Sequence, residues 1–503
     1  MRSRPATAAS SAARRAPPRW RPTAARTTAC RLSAGAGRDG PPESLQAVVR
    51  AAVGRLPDGA RRAAELAAVA GRDLTFTEAG ALASQEDVLR ALDCGLLTAE
   101  HGDFGYRHAL LRDAALADMP EPRRRGLHEE LAGALRGPAA EIARHLRLAG
   151  RDDLAAGRLA RAARDAAAVG AVDEAAEFLR EALELRPGDP SLTVELAAAE
   201  AYSGRRVAAE DALRMTLELL APSEHAERGA VHARAARWYS GALCRPSETM
   251  SQARRAIAEL DRAEGVDPAQ LASALALGAW GAAVTGRVQD ADALLARLAT
   301  LDVTDPDVAC ELANAHAFRA LAEDRLDEAV ERFESIVGMP GPSPDRAYSV
   351  RANLACVLAA AGRHEDALAC ADGGVAEVRG MPSLLTPLHA LRAKLLTRLG
   401  HLDAAREAVA QERVAAARSG DPSLVALADH DAGMIAFAAG DHNAAASLLT
   451  RGLDSDSAIN RPLARLAIAE SLARLGRADD AEAELRVVTL EPVGPGRRAP
   501  GRA

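Results

Sequence analysis

Apolar residues recur at intervals of three and four along most of the chain, whereas the alternation typical of strands is nearly absent. The stretch PPESLQAVVRAAVGRL, which starts at Pro41, is an example. Ser44 stands where a helix N-cap is expected, and Val49 and Val53 follow on one helix face. The pattern predicts an all-α protein.

One turn recurs through the C-terminal two thirds of the chain. Its copies start at Gly170, Gly204, Gly286, Asp324, Gly362, Gly400, Gly440 and Gly476, in steps of 34 to 40 residues apart from one step of 82. An alanine stands five residues after each start, at Ala175, Ala209, Ala291, Ala329, Ala367, Ala405, Ala445 and Ala481. Glycine ends a helix readily because it enters the left-handed conformation without a Cβ penalty. The small alanine then lets the next helix pack closely. With a degenerate pair in the long step, around 230–241 and 247–263, the spacing predicts nine helix pairs.

This repeat resembles the tetratricopeptide repeat. In the best copy, Gly170, Ala175, Ala182 and Pro187 stand at the family's turn glycine, close-packing alanines and closing proline. The resemblance implies a right-handed superhelical solenoid over 151–490, with a concave groove lined by the first helix of each pair. Such repeats are general scaffolds. The resemblance therefore implies a protein or peptide partner in that groove without specifying which one.

The position six residues before each turn resembles one of the family's groove-facing positions. This groove column holds Arg164, Ala198, Trp280, Phe318, Cys356, Lys394, Met434 and Glu470. Its middle is apolar and its ends are charged, as is typical of a binding surface with a polar rim. We predict that Trp280, Phe318, Cys356 and Met434 bind the partner. We expect Trp280 and Phe318 to form an exposed apolar patch; the alternative is that both rings belong to the core.

Residues 41–150 follow a different pattern. Two short helices are expected around 76–82 and 85–92. The stretch LLTAEHGDFGYR then has the form of a β-hairpin with Gly102 and Asp103 at its turn, and the helix HALLRDAALADM follows directly. Helices followed by a hairpin predict a winged-helix-like domain.

The same segment resembles the middle of large ATP-binding LuxR-type transcriptional regulators. The similar stretches are SLQAVVRAAVGRLPDGARRAAELAAVAGRDL, YRHALLRDAAL, RRRGLHEELAGAL and AEIARHLRLAG. In that family an ATPase precedes the winged helix and the repeats, and a DNA-binding helix-turn-helix follows them. The resemblance implies that His108 stands where a histidine faces the phosphates of bound nucleotide. The alternative is a half-buried histidine that simply starts the helix.

The chain resembles only the winged-helix and repeat portion of that family. A phosphate-binding loop of the form GxxxxGK[ST] is absent, and the one lysine, Lys394, lies inside a repeat helix. No helix-turn-helix pattern follows the last repeat. We therefore expect no bound cofactor, with His108 an ancestral nucleotide-facing position. Contacts with DNA are expected to be indirect or weak.

Composition separates the two ends from the rest. Residues 1–40 hold nine arginines and one acidic residue, in a chain whose formal net charge is −7. A segment so basic and so poor in apolar residues cannot bury enough surface to fold. We expect disordered tails at 1–40 and 491–503, with targeting or non-specific nucleic-acid binding as alternatives for the first. The six cysteines form no CxxC pair and no apolar run could span a membrane, which favours a cytoplasmic protein without a membrane partner.

Motifs that carry catalysis are missing. Neither GxSxG nor HExxH occurs. The DHD at 429–431 does not predict a metal site, because successive helix residues point about 100° apart. We predict no catalytic residue and no metal ligand.

The sequence is interpreted as a non-catalytic signal-sensing or protein-interaction regulator that resembles the sensor portion of a LuxR-type transcriptional regulator. One alternative is a transcriptional regulator that acts with nucleotide-binding and DNA-binding parts encoded separately. The other is a stand-alone tetratricopeptide scaffold unrelated to transcription.

Overall fold

The computed structural model describes residues 43–100, 102–243, 245–378, 381–419, 421–453 and 461–490. The predicted tails at 1–40 and 491–503 lie outside these described residues. The chain divides into two compact units, Met1–Leu135 and Arg136–Ala503. This division falls one helix before the predicted boundary at residue 150. The helix in question packs with the second unit, where Ala143 shares a buried cluster with Leu159.

The first unit has six helices and a small sheet among its described residues. The helices are α1 (Glu43–Gly54), α2 (Asp58–Ala70), α3 (Phe76–Leu82), α4 (Gln85–Ala91), α5 (Ala109–Ala117) and α6 (Glu121–Ala134). The strands are β1 (Leu74–Thr75), β2 (Leu97–Glu100) and β3 (Asp103–Tyr106). They form an antiparallel sheet in the order β1-β3-β2. The expected hairpin is therefore present, and β1 adds a strand that the sequence pattern did not predict.

Local side-chain chemistry sets the helix starts of this unit. Thr75 and Glu78 form a reciprocal capping box at α3, in which each side chain accepts a hydrogen bond from the other residue's backbone N–H. The hydrogen bond from Arg72 lowers the pKa of Glu78 to about 2. Ser84 caps α4 by accepting a hydrogen bond from the backbone N–H of Asp87. The predicted cap at Ser44 is wrong, because α1 begins one residue earlier and includes it.

Nineteen helices follow in the described part of the second unit. They are α7 (Ala139–Leu148), α8 (Asp152–Ala168), α9 (Val172–Leu185), α10 (Pro190–Tyr202), α11 (Arg206–Leu219), α12 (His225–Ser240), α13 (Pro246–Leu260), α14 (Pro268–Val284), α15 (Val288–Leu298), α16 (Pro306–Ala322), α17 (Leu326–Glu334), α18 (Pro344–Ala360), α19 (His364–Glu377), α20 (Pro382–Arg398), α21 (Leu402–Ser419), α22 (Pro422–Ala438), α23 (His442–Gly452), α24 (Arg461–Arg474) and α25 (Ala478–Leu490). From α8 onward they form nine consecutive pairs. The pair α12 and α13 fills the long step in the repeat.

The recurring turn has one backbone geometry throughout. All eight turn positions have a positive φ, from 60° at Asp324 to 83° at Gly204. Asp324 is the one non-glycine residue with a positive φ in the described chain. Every alanine five residues later is buried, with exposures from 0% to 6%. The turn thus ends the first helix, and the alanine lets the second helix pack against it at close range.

A second signal starts several of the first helices. Asp189, Asp267, Asp305 and Asp421 each cap a helix whose first residue is proline, and their side chains accept hydrogen bonds from backbone N–H groups of the first turn. Proline suits this position because its missing N–H would be unpaired there in any case. None of the helices in the described chain has the length and apolar character needed to cross a membrane.

From α10 onward, the first helices of successive pairs lie against one another, and α10 also contacts α20, five pairs further along. We call the surface formed by α8, α10, α12, α14, α16, α18 and α20 the inner face. Because helices so distant in sequence meet there, the inner face encloses side chains from several pairs.

Enlarging one turn alanine should disrupt a pair. Ala367 in α19 is fully buried, whereas Ala369 in the same helix is exposed. We expect Ala367→Leu to lower the free energy of unfolding by about 1–3 kcal/mol, because the added atoms force the two helices apart. The matched variant Ala369→Leu should leave the urea midpoint unchanged. Equal midpoints for the two variants would contradict close packing at the turn alanine.

Candidate functional site

His108 occupies the N-cap position of α5 with an extended backbone, φ −144° and ψ 143°. Its side chain is exposed and makes no capping hydrogen bond, so the half-buried alternative is wrong. A cavity of about 180 Å³ in the first unit is lined in part by Arg61, Glu65 and Tyr106, but not by His108. His108 thus starts its helix as expected and lies outside this cavity.

The two aromatic residues of the groove column pack together rather than facing solvent. Trp280 is 9% exposed, and its ring meets Phe318 edge-on with centroids 6.0 Å apart. Phe318 in turn packs edge-on against Phe333. The expected exposed patch is therefore wrong, because burying large rings against one another stabilises the fold more than leaving them in water.

The other column residues lie at several places along the second unit. Met434 is half-buried and packs against the C-terminal core cluster, and Glu470 is exposed and accepts a hydrogen bond from Arg474. Cys356 lines the same cavity as Trp280, and Arg164 and Ala198 line another cavity together. The structure thus brings together two sets of column residues on the inner face, and Met434 belongs to neither.

The Trp280 cavity has a volume of about 140 Å³ and is lined by first helices. Its polar lining comes from Ser240, Glu311, Asn314, Arg346, Ser349 and Asn353. Its apolar lining includes Leu277, Trp280, Ala352, Leu388 and Leu391. Cys356 is exposed and also contributes to the wall. The cavity therefore combines an apolar body with a few convergent polar groups, as small-ligand and side-chain pockets do.

The Trp238 cavity is larger, with a volume of about 360 Å³. Its lining includes Arg164, Leu179, Glu195, Ala198, Tyr202, Arg234, Arg237, Trp238 and Asp345. Most of these residues belong to the first helices α8, α10 and α12. The two cavities thus lie on the inner face, and each has a buried tryptophan in its wall.

A buried ion network joins the walls of the two cavities. Arg237 donates from Nε to Glu311 at 3.1 Å and from Nη1 to Asp307 at 3.0 Å. Arg346 is 1% exposed; it donates to Asp345 at 3.1 Å and lies 3.6 Å from Glu311. Its Nη2 also donates to the backbone oxygen of Arg237 at 3.2 Å. The network therefore links α12, α16 and α18.

Tyr202 extends this network to two further helices. Its hydroxyl donates to Asp345 at 2.6 Å, and its backbone oxygen accepts from the hydroxyl of Ser383 at 2.7 Å. Tyr348 adds a hydrogen bond from its hydroxyl to the backbone oxygen of Leu384 at 2.9 Å. These bonds attach α10 and α20 to α18, although Tyr202 and Ser383 are 181 residues apart.

The carboxyl groups of the network differ in their electrostatic environment. Burial alone would raise the pKa of Asp345, but Arg346 and the hydroxyl of Tyr202 outweigh it and the pKa is lowered. Burial raises the pKa of Glu311, and Arg237 and Arg346 offset this only in part. Of these two carboxyl groups, Glu311 therefore has the less well compensated negative charge.

Three buried polar atoms at these cavities have no hydrogen-bond partner among the described residues. They are Nε1 of Trp238, Nε1 of Trp280 and Oε2 of Glu311. An unsatisfied buried polar atom costs about 1–3 kcal/mol. Such atoms are expected where a bound partner or water completes the hydrogen bonding.

A second buried cluster lies further along, where α20, α21 and α22 meet. Glu412 is fully buried, and neither carboxyl oxygen has a hydrogen-bond partner in the described chain. Burial and the nearby Asp431 raise the pKa of Glu412. Asp431 itself lies 2.8 Å from Nδ1 of His430 and 3.5 Å from Nζ of Lys394. Of the two carboxyl groups in this cluster, Asp431 has Lys394 and His430 as close neighbours, whereas Glu412 has no hydrogen-bond partner among the described residues.

The described residues contain no group of three or more His, Cys, Asp or Glu side chains able to hold a metal ion. Within the DHD sequence, Asp429 pairs with Arg413 and Arg451, whereas Asp431 pairs with His430. The two carboxylates therefore face different partners, as their helical spacing predicts.

Residues 436–495 match a protein-family model described as the tetratricopeptide repeat. This match lies on the last helix pairs, whose turns at Gly440 and Gly476 have the geometry given above. Residues 436–495 thus carry the tetratricopeptide pattern that the sequence predicts. The helices of the described residues, with one small sheet beside them, confirm the predicted all-α fold.

Solved structures to which this chain shows some similarity include a Signal Transduction ATPase with Numerous Domains (STAND) protein with a tetratricopeptide repeat sensor from Pyrococcus horikoshii. It is 11% identical with a TM-score of 0.44, and the match covers 87% of this chain and 63% of that protein. A Rap protein complexed with Competence and Sporulation Factor is 13% identical with a TM-score of 0.38, covering 67% of this chain and 96% of that one.

Aspartyl phosphate phosphatase F from Bacillus subtilis is 13% identical with a TM-score of 0.31, covering 76% of this chain and 93% of that one. All three TM-scores lie below 0.5, and these likenesses imply no shared function. Among curated proteins, none matches the sequence.

The sequence pattern named Trp280 and Cys356, which line one cavity, but did not indicate the ion network between the cavities. Arg237, Glu311 and Arg346 lie in helices whose charged residues look like ordinary surface positions. A weak signal exists in hindsight, because Glu311 and Arg346 are charged residues within the largely apolar buried faces of α16 and α18.

Removing Arg346 should destabilise the repeat domain strongly. Arg346→Met leaves Glu311 and Asp345 buried without this partner, which should cost about 3–5 kcal/mol of unfolding free energy. The matched variant Arg332→Met removes an exposed arginine from α17 and should leave the urea midpoint unchanged. A midpoint for Arg346→Met equal to the control would mean that the network does not hold the inner face together.

Glu412 should make stability depend on pH. Its pKa is raised in the folded state, so its favourable contribution is complete below the unfolded pKa and is lost as pH rises through the folded pKa. Glu412→Gln removes this loss, so its stability advantage over the wild type should grow as pH rises above the unfolded glutamate pKa of about 4.3, by about 1.4 kcal/mol for each unit of pKa shift.

The matched control for this pH series is Glu407→Gln, at an exposed position of the same helix. Its stability should follow that of the wild type at every pH. Parallel pH curves for Glu412→Gln and the wild type would show that Glu412 titrates normally.

Proposed function

We propose that this chain is a non-catalytic regulatory protein that binds a protein or peptide partner on the inner face of its repeat domain. The observation that carries the proposal is the pair of inner-face cavities, each with a buried tryptophan whose indole N–H has no partner in the described chain. A folded domain satisfies nearly all buried donors, so unsatisfied donors in cavity walls favour a bound partner.

The size and chemistry of the cavities favour a peptide over a small cofactor. Volumes of about 140 and 360 Å³ suit one or two side chains each. The backbone carbonyl oxygens of a peptide are suitable acceptors for the indole N–H groups of Trp238 and Trp280. Cys356 and Ala198, from the groove column, stand in these walls, so the column supports the same surface.

We further propose roles for the two units that follow the resemblance to LuxR-type regulators. In this proposal, the repeat domain is the sensor of such a regulator and the first unit, with its helices and hairpin, is a winged-helix-like adaptor. His108 is then an ancestral nucleotide-facing position that binds no ATP in this chain, and contacts with DNA are indirect. The place of action is the cytoplasm.

Peptide selection on the full chain tests the proposal. Peptides selected from a random library should bind with affinities that fall about tenfold in each of two variants, Ala198→Leu and Ala352→Leu, because the added atoms fill the Trp238 and Trp280 cavities. The matched variant Ala369→Leu, at an exposed second-helix position, should bind as the wild type does. Failure to select any peptide, or equal affinity for all variants, would refute binding on the inner face.

A further inference from the structure

The geometry points to a primary ammonium group as the group that enters the Trp280 cavity, carried by a lysine side chain of the partner peptide. This inference rests on the proposed function, since it names the part of the partner that the cavity holds. It is carried by the charge balance of the buried network and by the one carboxyl oxygen of Glu311 that has no hydrogen-bond partner.

Among the described residues, the network has one more negative than positive group. Its carboxylates are Asp307, Glu311 and Asp345, and its guanidinium groups are Arg237 and Arg346. An uncompensated charge away from water is costly. An entering cation would restore neutrality, whereas an entering anion would add to the excess.

The unpaired atom is on Glu311, which lines the cavity and is 1% exposed. Its Oε1 accepts from Arg237 and lies near Arg346, but its Oε2 has no hydrogen-bond partner in the described chain. A single available oxygen suits an ammonium group, which donates each N–H separately. A guanidinium group would favour two parallel acceptors.

Other lining groups suit the same cation. Asn314 accepts from the amide of Asn353 at 2.9 Å through Oδ1, which keeps a second lone pair for another donor. The ring of Trp280 also lines the wall, and aromatic rings attract cations. Arg346 is less suited to attract an anion, because Asp345 and the backbone oxygen of Arg237 already engage it.

The cavity volume of about 140 Å³ is close to that of a cavity that admits benzene, about 150 Å³. The four-carbon stem and ammonium group of lysine form a body of similar size. The stem would lie against Leu277, Leu388 and Leu391, which supply the apolar lining. Size and polarity thus favour the same side chain.

The probe for this inference is n-butylammonium chloride, which reproduces the end of a lysine side chain. Cys356 lines the cavity and is exposed, so its alkylation by iodoacetamide, followed by mass spectrometry of the full chain, reports occupancy. We expect about fourfold slower alkylation at roughly 30 mM probe, as for a Kd on the order of 10 mM. Cys94, in the first unit, should react at an unchanged rate and serves as internal reference.

Two protein variants and two control probes, one uncharged and one anionic, complete the experiment. Protection of Cys356 should disappear in Glu311→Gln, which removes the charge, and in Ala352→Leu, which fills the cavity without altering any charge. Glu311→Gln leaves Arg237 and Arg346 short of a partner; if this variant does not fold, Ala352→Leu carries the test. Neither n-butanol nor butyrate at equal ionic strength should protect.

Equal protection by n-butanol would mean an apolar cavity without charge selection, and stronger protection by butyrate would mean an anion site; either result overturns the inference. So would the absence of protection, or protection that persists in Ala352→Leu. In peptides selected on the chain, changing lysine to norleucine should weaken binding about tenfold. If selected peptides bind the inner face without that preference, the ammonium assignment fails while the proposed function stands.

Discussion

The repeat domain depends on keeping Arg346 and Glu311 paired inside it. Each charge taken out of water costs several kcal/mol, so the arrangement is favourable only while all partners stay in place. Those partners come from α12, α16 and α18, and Tyr202 adds α10. The helix pairs of this region are therefore not an independent stack, because one network spans pairs that the chain separates by more than 100 residues.

Close packing at the turns makes this network possible. Buried alanines such as Ala209 and Ala329 let paired helices approach each other, and the left-handed turn residues hold each pair in the same geometry. Small side chains leave little apolar volume for a core. Among the few large ones, Trp238 and Trp280 lie in first helices of the inner face, and Phe318 and Phe333 pack next to Trp280 in an edge-on series.

Under the proposed function, stability and binding compete on the same surface. The inner face has to compensate its buried charges to fold, yet Oε2 of Glu311 and the indole N–H groups remain without partners in the described chain. These atoms lower the stability of the isolated domain, and a bound peptide that completes them would return that free energy as affinity.

The sequence by itself determined the helical class, the nine helix pairs and the turn geometry, because glycine at a positive φ and alanine at a close contact are local requirements that recur at a fixed spacing. Its column of positions also contains Cys356 and Ala198, which line the two cavities. Only the tertiary structure decided that Trp280 and Phe318 are packed rather than exposed, and that Ser44 lies inside its helix. It also decided which charged residues are buried. An arginine such as Arg346 looks the same in sequence whether it faces water or an ion network, since burial depends on helices that meet across distant repeats.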